Sequence, residues 1–598
     1  MIGVVVLLLL AAALAYPWGY SLITGMLVGA PDRRAMQWCL GLFAAFSATA
    51  VFVAPSGVTH DGRWRIGLGA LGLFAATSLA ILLLRAADTP ARPVAIALYV
   101  AGSLSVVWLG MMPLWPMRLP ARTAVLAGLS ALLGTFVALI RIAGLSGDAK
   151  VEFAWRRPAA AVTLQGASPP AFGEARIPDP PGPDDFPSYL GPARDGRVAR
   201  AGLGDWRASP PAESWRRPVG AGWGGFAVAG NVAVTQEQRG DREAVVCYEL
   251  DSGREMWVHS DPIRFDSSLG GPGPRATPAL AHGRVYAIGA TGRLNCLSAE
   301  GRLEWSVDTI PGAAVPHAPV TGAGAEEEPE ASGELLSHGT CGSPLVVDGR
   351  VWVSPSGRDG RSLAAFDAKT GAELLRAGRD RASYASPMLA TLGGQSHLLV
   401  FNGAGLAGHD PVSGDVRWTF PWTNDVRTNC AQPLVIDRSR LLVSTGYGTG
   451  SALLDVRRHD DGAWQATERW RSRDMKAKFA TPVLKDGLVY GLDDGILACI
   501  DPETGKRLWK RGRYGHGQVL LAGDTLVVQT EPGPVVLVRP GPDGPEELGS
   551  IPALSDKTWN TIALAGDRLL VRNAVEAACY RLPHAAPIDG DARTPHGE

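Results

Sequence analysis

The sequence lacks the short motifs that identify common catalytic centres. It contains no CxxC, HExxH, GxxxxGK[ST] or GxSxG motif, so it carries no signature of a redox dithiol, zinc protease, phosphate-binding loop or serine hydrolase. Its seven cysteines are scattered along the chain, and no disulfide framework is predicted from them. Charged residues make up 19% of the chain and the formal net charge is −1, which argues against nucleic acid as a partner.

Long apolar runs are concentrated in the first 146 residues. Each run is near or above the roughly 20 residues that a helix needs to cross a bilayer, and the charges lie in the short loops between runs. No ionisable residue lies deep inside a run, which argues against a transporter or proton path. The runs are residues 2–29, 36–55, 66–86, 93–116 and 122–143. We therefore predict an α-helical transmembrane region of about five helices, with a buried helical domain as the alternative.

The orientation of this region follows from the number of spans. Five spans with the N-terminus inside place residues 147–598 outside the cytoplasm, and a cleaved signal peptide followed by four spans gives the same result. Arginines in the inter-helix loops do not favour either side, and the cations after the last span would favour a cytoplasmic domain, but the charge rule weakens before a large domain. We expect a multi-pass protein of the inner (cytoplasmic) membrane with an extracytoplasmic domain.

Residues 147–212 have the composition of a linker. The stretch 177–185, IPDPPGPDD, is rich in proline and is expected to be extended. The stretch 186–198, FPSYLGPARDGRV, is denser in aromatics and glycine, so this lead-in segment is expected to pack on the domain that follows. Residues 586–598 are expected to form a disordered tail.

Between residues 213 and 585 the sequence repeats a unit of four short strands. Thr481–Gly512 shows the unit most clearly, with apolar runs split by Asp-Gly and Thr-Gly turns. A period of about 40–50 residues with four strands per unit predicts an all-β propeller. Eight blades are expected, at about 222–259, 277–308, 343–377, 386–421, 432–472, 481–512, 516–550 and 561–583. The last has three strands in sequence, so we expect 213–219 to complete it and remove the open sheet edges.

Two repeated positions have an expected structural role. In most units a turn glycine is followed four residues later by a large apolar residue, and the tryptophans of the outer strands are expected to dock between blades: Trp215, Trp257, Trp305, Trp418, Trp470 and Trp509. Cys247, Cys296, Cys499 and Cys579 lie at a matching strand position and are predicted to be buried free thiols. Cys341 and Cys430 precede innermost strands and remain candidates for reactive or paired thiols.

The repeat Asp-x-x-Thr-Gly-x-x-x-Trp, as in Asp501–Trp509, resembles the PQQ-type propeller repeat. This repeat occurs in quinoprotein dehydrogenases and in the non-enzymatic BamB-type propellers, and the resemblance covers about 186–583. For a dehydrogenase it implies a catalytic aspartate, a calcium ion, a tryptophan under the quinone and often adjacent cysteines. The sequence has no Cys-Cys pair, and the family's metal ligands cannot be assigned, so no catalytic or metal residue is carried over. The repeat indicates the fold and leaves the function open.

The loops that lead into the innermost strands are rich in cations, aromatics and amides. In propellers of this kind they line one mouth of the central channel, where convergent polar and aromatic groups indicate a binding site. An excess of cations favours an anionic ligand or an acidic peptide segment, and hydrogen bonding within the mouth itself is the alternative. The candidates are Arg275, His338, Tyr384, Arg427, Asn429, Lys478, Tyr514, His516, Trp559 and Asn560.

These features favour a membrane-anchored binding or scaffold module at the cell envelope, without catalysis, metal or cofactor. Its expected partners are the membrane and either envelope proteins or an anionic ligand. The alternative function is a PQQ-dependent quinoprotein dehydrogenase that oxidises an alcohol or sugar and uses calcium. A third hypothesis is a sensor whose membrane helices transmit a signal.

Overall fold

A computed structural model describes residues 175–199, 202–267, 270–310, 335–355 and 362–583, and the backbone of two earlier strands. These strands, Ile140–Leu145 and Val151–Trp155, form a two-stranded sheet. The predicted fifth helix, 122–143, is therefore wrong at its end, where β-branched isoleucines alternate with an arginine and favour a strand. Residues 1–139 and the expected tail 586–598 lie outside the described residues. Among the described residues, no helix is long and apolar enough to span a membrane.

The expected eight-bladed all-β propeller is confirmed by eight four-stranded antiparallel units. Blade 1 comprises Ala227–Ala229, Val232–Arg239, Arg242–Glu249 and Glu255–Asp261. Blade 2 comprises Ala279–Ala281, Arg284–Ile288, Arg293–Ser298 and Leu303–Asp308. Blade 3 comprises Leu345–Val347, Arg350–Val353, Leu363–Asp367 and Glu373–Ala377. Blade 4 comprises Met388–Leu392, Gln395–Phe401, Gly405–His409 and Val416–Pro421. Blade 5 comprises Leu434–Val435, Arg440–Thr445, Gly450–Arg458 and Trp464–Ser472. Blade 6 comprises Val483–Lys485, Leu488–Asp493, Ile496–Ile500 and Arg507–Arg513. Blade 7 comprises Gln518–Ala522, Thr525–Gln529, Val535–Pro540 and Pro545–Ile551. Blade 8 comprises Ala563–Ala565, Arg568–Arg572, Glu576–Arg581 and Ala212–Pro218.

The ring closes through a strand from the start of the domain. Ala212–Pro218 pairs antiparallel with Glu576–Arg581 and becomes the outer strand of blade 8, as expected. The innermost strands of blades 8 and 1 contact each other, as do those of blades 1 and 2. Across the seam the buried guanidinium of Arg572 donates to Thr235 Oγ1 and to the carbonyl of Gln236, both at 2.7 Å. A buried cation that donates to several acceptors holds these two blades in one register.

Most outer-strand tryptophans dock on the turn glycine of the following blade. A Cβ atom at Gly253 would lie 2.5 Å from the Trp215 ring, in a backbone conformation with φ of +67°, so the position requires glycine. The Trp215 indole also donates to the carbonyl of Leu250 at 2.8 Å. The same stacking pairs Trp257 with Gly301, Trp305 with Gly371 and Trp470 with Gly505. Trp509 donates to the carbonyl of Gly541 in the less regular turn of blade 7.

Trp418 docks differently from the other tryptophans. It covers Gly408 of its own blade and donates to His397 Nδ1 at 3.2 Å. The stretched turn of blade 5 offers no turn glycine that meets this ring. Trp418 still belongs to a buried cluster that includes blade 5 side chains, so the sequence position is right and its partner differs.

The buried cysteines lie opposite the docking tryptophans in the sheet register. Cys247 pairs with Trp257, Cys296 with Trp305, Cys499 with Trp509 and Cys579 with Trp215. All four are free and buried. In blade 5 the position holds the larger Leu453, and its partner Trp470 is half-buried. A small side chain at this position therefore leaves room for the indole to lie flat between blades.

The linker contributes more to the propeller than an extended spacer would. Ile177 is buried in a cluster with side chains of blades 1 and 2. Trp206 is also buried and covers Gly549, which takes the outer-strand position that tryptophan occupies in other blades. The lead-in segment adds strand Arg197–Val198 parallel to Gln518–Ala522, so blade 7 has a fifth strand.

Candidate functional site

The innermost strands begin with a ring of equivalent positions around the channel, seven of which hold a serine, threonine or glutamine. We call these eight positions the inner ring: Gly225, Thr277, Ser343, Ser386, Gln432, Thr481, Gln518 and Thr561. Several of the hydroxyls accept the backbone N–H of the same position in the preceding blade. Thr277 accepts from Gly225 N, and Ser343 accepts from Thr277 N, each at 2.9 Å. These bonds link neighbouring blades close to the channel axis.

A second ring lies two residues earlier in each blade. We call it the mouth ring, and its members are Trp223, Arg275, Cys341, Tyr384, Cys430, Phe479, His516 and Trp559. All of these residues except His516 line one cavity of about 270 Å³, together with several inner-ring residues. His516 borders the cavity through Phe479, whose ring centroid is 5.9 Å away. The cavity is therefore built from one repeated sequence position.

One half of the cavity is an aromatic wall. The ring centroids of Trp223 and Trp559 are 4.8 Å apart, and those of Trp559 and Phe479 are 5.2 Å apart. Glu531 orients this wall, because one carboxylate oxygen accepts from Trp559 Nε1 and the other from the backbone N–H of His516, each at 2.9 Å. An oriented wall of neighbouring aromatic rings suits a flat apolar group.

The cavity also carries polar groups. Lys478 Nζ lies 4.6 Å from the ring centroid of Tyr447 and 5.7 Å from that of Phe479. Burial, with a smaller contribution from the Arg275 cation, lowers the pKa of His338 to about 4, so its imidazole is neutral at pH 7. Burial raises the pKa of Tyr384 to about 12. Beside the Lys478 side chain, the cavity therefore presents a neutral imidazole and a protonated phenol at neutral pH.

Arg275 supports the cavity wall through its own loop. Its guanidinium donates to the carbonyls of Pro272 and Gly273 at 3.0 and 2.7 Å, and to Ser267 Oγ at 3.1 Å. Burial lowers the pKa of the guanidinium. Because its donors are directed at protein acceptors, Arg275 has little capacity left for a ligand.

Five of the ten predicted site residues do not line the cavity, and one of them, His516, only borders it through Phe479. Asn429 is buried between blades, where it donates to the Asn402 carbonyl and accepts from Thr445 Oγ1. Asn560 donates to the carbonyls of two glycines in blade 1. Tyr514 donates to Glu547 in the outer strand of blade 7, and Arg427 is exposed. Asn429, Asn560 and Tyr514 therefore use their polar groups for hydrogen bonds within the propeller, which is the alternative that the sequence left open.

The structure also brings in residues that were not predicted to bind a ligand. Trp223, Cys341, Cys430 and Phe479 all line the cavity. The first and last are apolar aromatics, and a search for polar groups passes over them. Their offset of two residues from the inner ring was visible in the sequence and would have identified them.

A sequence profile of the family described as outer membrane protein assembly factor BamB matches residues 194–327 and 328–511, more than half of the chain. The chain belongs to this family. The PQQ-like repeat inferred from the sequence is thereby confirmed. No curated protein matches the chain.

Solved structures similar to this BamB-family chain include a BamB and two dehydrogenases. A europium-containing methanol dehydrogenase is 14% identical, with 66% of this chain and 91% of that chain covered and a TM-score of 0.48. BamB from Moraxella catarrhalis is 15% identical, with coverages of 63% and 99% and a TM-score of 0.41. The quinohemoprotein alcohol dehydrogenase from Comamonas testosteroni is 13% identical, with coverages of 69% and 83% and a TM-score of 0.46.

The cavity of this BamB-family propeller has a donor set that does not fit calcium. Its lining contains no aspartate or glutamate. Within the described part of the chain, no three histidine, cysteine or acidic residues are grouped so that they could hold a metal ion. Calcium prefers six to eight oxygen ligands, several of them carboxylates, so the calcium that a quinoprotein dehydrogenase would need has no ligand set at this mouth.

The two cavity cysteines are free thiols. Burial raises the pKa of Cys341 to about 12 and also raises the pKa of Cys430. Both are therefore protonated at neutral pH and are weak nucleophiles. In this propeller they act as soft, apolar parts of the wall.

An unpartnered acceptor lies at the base of the cavity. Gln518 is buried, and its Nε2 donates to the carbonyl of Trp559 at 2.8 Å. Its Oε1 has no hydrogen-bond partner within the described structure. A buried acceptor without a partner is unfavourable, so a donor on a bound molecule would be stabilised there.

Proposed function

We propose that this BamB-family propeller is a non-catalytic binding module of the cell envelope, anchored by its apolar N-terminal region. The ligand sits in the cavity of the mouth ring and combines a flat aromatic group with an anionic group. The observation that carries the proposal is a cavity that combines an aromatic wall with the Lys478 ammonium beside it, and that has no carboxylate in its lining.

The aromatic wall supplies most of the affinity in this proposal. Trp223, Trp559 and Phe479 offer flat faces within about one ring diameter of each other, and aromatic pairs contribute roughly 0.5–1.5 kcal/mol beyond their buried area. Lys478 then discriminates in favour of an anion. A free small molecule and an aromatic side chain beside an acidic residue of an envelope protein present the same chemistry.

Binding of anilinonaphthalene sulfonate (ANS), a flat aromatic anion, tests the proposal by fluorescence titration. We expect Trp559→Ala to weaken binding about tenfold, since a stacking face is lost. Lys478→Met should weaken it about fivefold, because the cation is lost and the side-chain volume is kept. The exposed Lys506 gives the matched control Lys506→Met, which should bind as the wild type does. Equal affinity of all four proteins would contradict the proposal.

The dehydrogenase hypothesis makes the opposite prediction for activity. Because the cavity lining offers no carboxylate for calcium or for proton abstraction, we expect no reduction of an artificial dye when the protein is supplied with PQQ, calcium and an alcohol or sugar. The measurement is the dye absorbance over time, with a known quinoprotein dehydrogenase as the positive control. Sustained, alcohol-dependent reduction would replace the binding-module proposal with the enzyme.

Anchoring and orientation rest on the apolar runs within residues 1–146. A reporter that is active outside the cytoplasm, fused to the C-terminus, is expected to be active. A cytoplasm-active reporter fused at the same point is expected to be silent. The reverse pattern would place the propeller in the cytoplasm.

A further inference from the structure

The lead-in segment, Phe186–Val198, begins against the innermost strands of blades 1 and 2. Phe186 and Val228 exchange two backbone hydrogen bonds, at 2.9 and 2.8 Å. The carbonyl of Pro187 accepts from Leu280 N at 2.8 Å. The side chain of Phe186 is buried in the same cluster as side chains of blades 7 and 8.

The segment ends against a different part of the ring. The carbonyl of Gly196 accepts from Leu521 N at 2.8 Å, and Arg197 and Val198 lie in parallel register with Leu521 and Ala522 of blade 7. These contacts fall at the end of the innermost strand that is remote from the mouth ring. The segment therefore crosses the opposite opening of the channel.

Arg194 fixes the middle of the segment to blade 3. Its buried guanidinium donates to the carbonyls of Pro344 and Ser343, at 2.7 and 3.0 Å. Ser343 is an inner-ring residue. Arg194 and Leu190 both adopt left-handed backbone conformations, with φ of 57° and 61°, which non-glycine residues keep where surrounding contacts hold them.

Tyr189 brings the segment into the cavity. It lines the same space as the mouth ring, and burial raises the pKa of its phenol to about 12. The ring is half-buried, with its remaining surface toward the cavity. The lead-in segment thus supplies a binding-site wall from the side opposite the mouth loops.

We propose that the lead-in segment is part of the binding site, that Tyr189 contacts the ligand, and that a filled cavity holds the segment in its docked position. This inference rests on the proposed function of the cavity. By linkage, whatever the ligand gains from the docked segment, the segment gains from the ligand.

The test uses the full chain with ANS as the probe and hydrogen exchange of the 186–198 backbone as the readout. Saturating ANS should slow exchange of this segment several-fold. Arg194→Met, which loosens the segment without removing a cavity residue, should weaken ANS binding and lose the protection together. Tyr189→Phe should keep the stacking face, and Tyr189→Ala should weaken binding more. Arg207→Met, an exposed arginine outside the segment, is the matched control and should behave as the wild type.

The outcomes separate this inference from the function on which it rests. If Trp559→Ala weakens ANS binding while exchange of 186–198 does not respond and Arg194→Met binds normally, the cavity function stands and the role of the segment is refuted. If ANS does not bind the wild type, the proposed function fails, and the segment is tested without ligand. Alkylation of Cys341 and Cys430 by iodoacetamide should then be several-fold faster in Arg194→Met, and an unchanged rate would refute closure of the channel by the segment.

Discussion

At the turn of a well-formed blade, one glycine lies under one tryptophan of the preceding blade. Gly505 meets the Trp470 ring in this way, while Gly487 in the same blade has a similar left-handed backbone and open space where a Cβ atom would lie. The two glycines separate the backbone requirement from the packing requirement. Comparing a substitution at Gly505 with the same substitution at Gly487 shows how much stability depends on leaving room for the tryptophan ring.

Alanine substitutions at these two glycines should therefore differ in stability. Gly487→Ala should lower the free energy of unfolding by about 1 kcal/mol, the cost of a left-handed alanine. Gly505→Ala should cost a further ~2 kcal/mol, because the methyl group displaces the indole. Urea denaturation followed by tryptophan fluorescence gives both values. Equal losses would show that the glycine is needed for its backbone alone.

His397 is a buried residue whose protonation opposes folding. Its Nδ1 accepts from Trp418, its Nε2 has no partner within the described structure, and the Trp464 ring lies 4.4 Å away. Burial, with a smaller effect from the Arg417 cation, lowers its pKa to about 4. Between pH 6.5 and pH 4 the unfolded chain therefore binds more protons than the folded protein, and stability falls as pH falls.

His397→Asn removes this titration and keeps an acceptor for Trp418. Between pH 7 and pH 4.5 the wild type should lose about 2 kcal/mol more stability than the variant. Urea midpoints at several pH values measure the difference. Parallel pH profiles for the two proteins would mean that His397 titrates normally in the folded state.

At the scale of the strand, closure depends on one segment far from the rest of its blade in sequence. Ala212–Pro218 covers the edge of Glu576–Arg581 and places Trp215 over Gly253 of blade 1. Without it, blade 8 would expose an unpaired edge and blade 1 would lose its docking partner. Exposed edges of this kind associate with one another.

Two truncations test this role of the strand. A chain of residues 185–598 retains the strand and should be a folded monomer, whereas a chain of residues 219–598 should aggregate or unfold. Light scattering after size-exclusion chromatography distinguishes the two results. A monomeric 219–598 with an unchanged urea midpoint would show that the strand is dispensable.

The elements that the sequence predicted well are those specified by local chemistry. Turn glycines and the tryptophan four residues later lie within one short stretch, so blades with that pattern were recognisable. The packing partners of Trp418 and Gly549 were not recognisable, because they are His397 within the blade and Trp206 from the linker. Partners distant in sequence leave no trace in the local pattern, and only the folded chain shows them.

At the scale of the whole molecule, the position of a residue in the repeat predicts whether it lines the cavity better than its polarity does. The sequence-based choice of polar loop residues included Lys478 and Trp559, which line the cavity, but also Asn429, which is buried between blades. The mouth ring is defined by register, so it includes apolar Phe479 as readily as polar Tyr384. Tyr189 was beyond prediction, since it arrives from a segment that crosses the far end of the channel.

The most direct test of a ligand cavity at the mouth ring is a crystal structure of the protein with ANS bound. We expect the naphthalene ring against the faces of Trp223, Trp559 and Phe479, with the sulfonate directed toward Lys478. An empty cavity, with ANS bound at another surface of the propeller, would contradict the assignment of this cavity as the binding site.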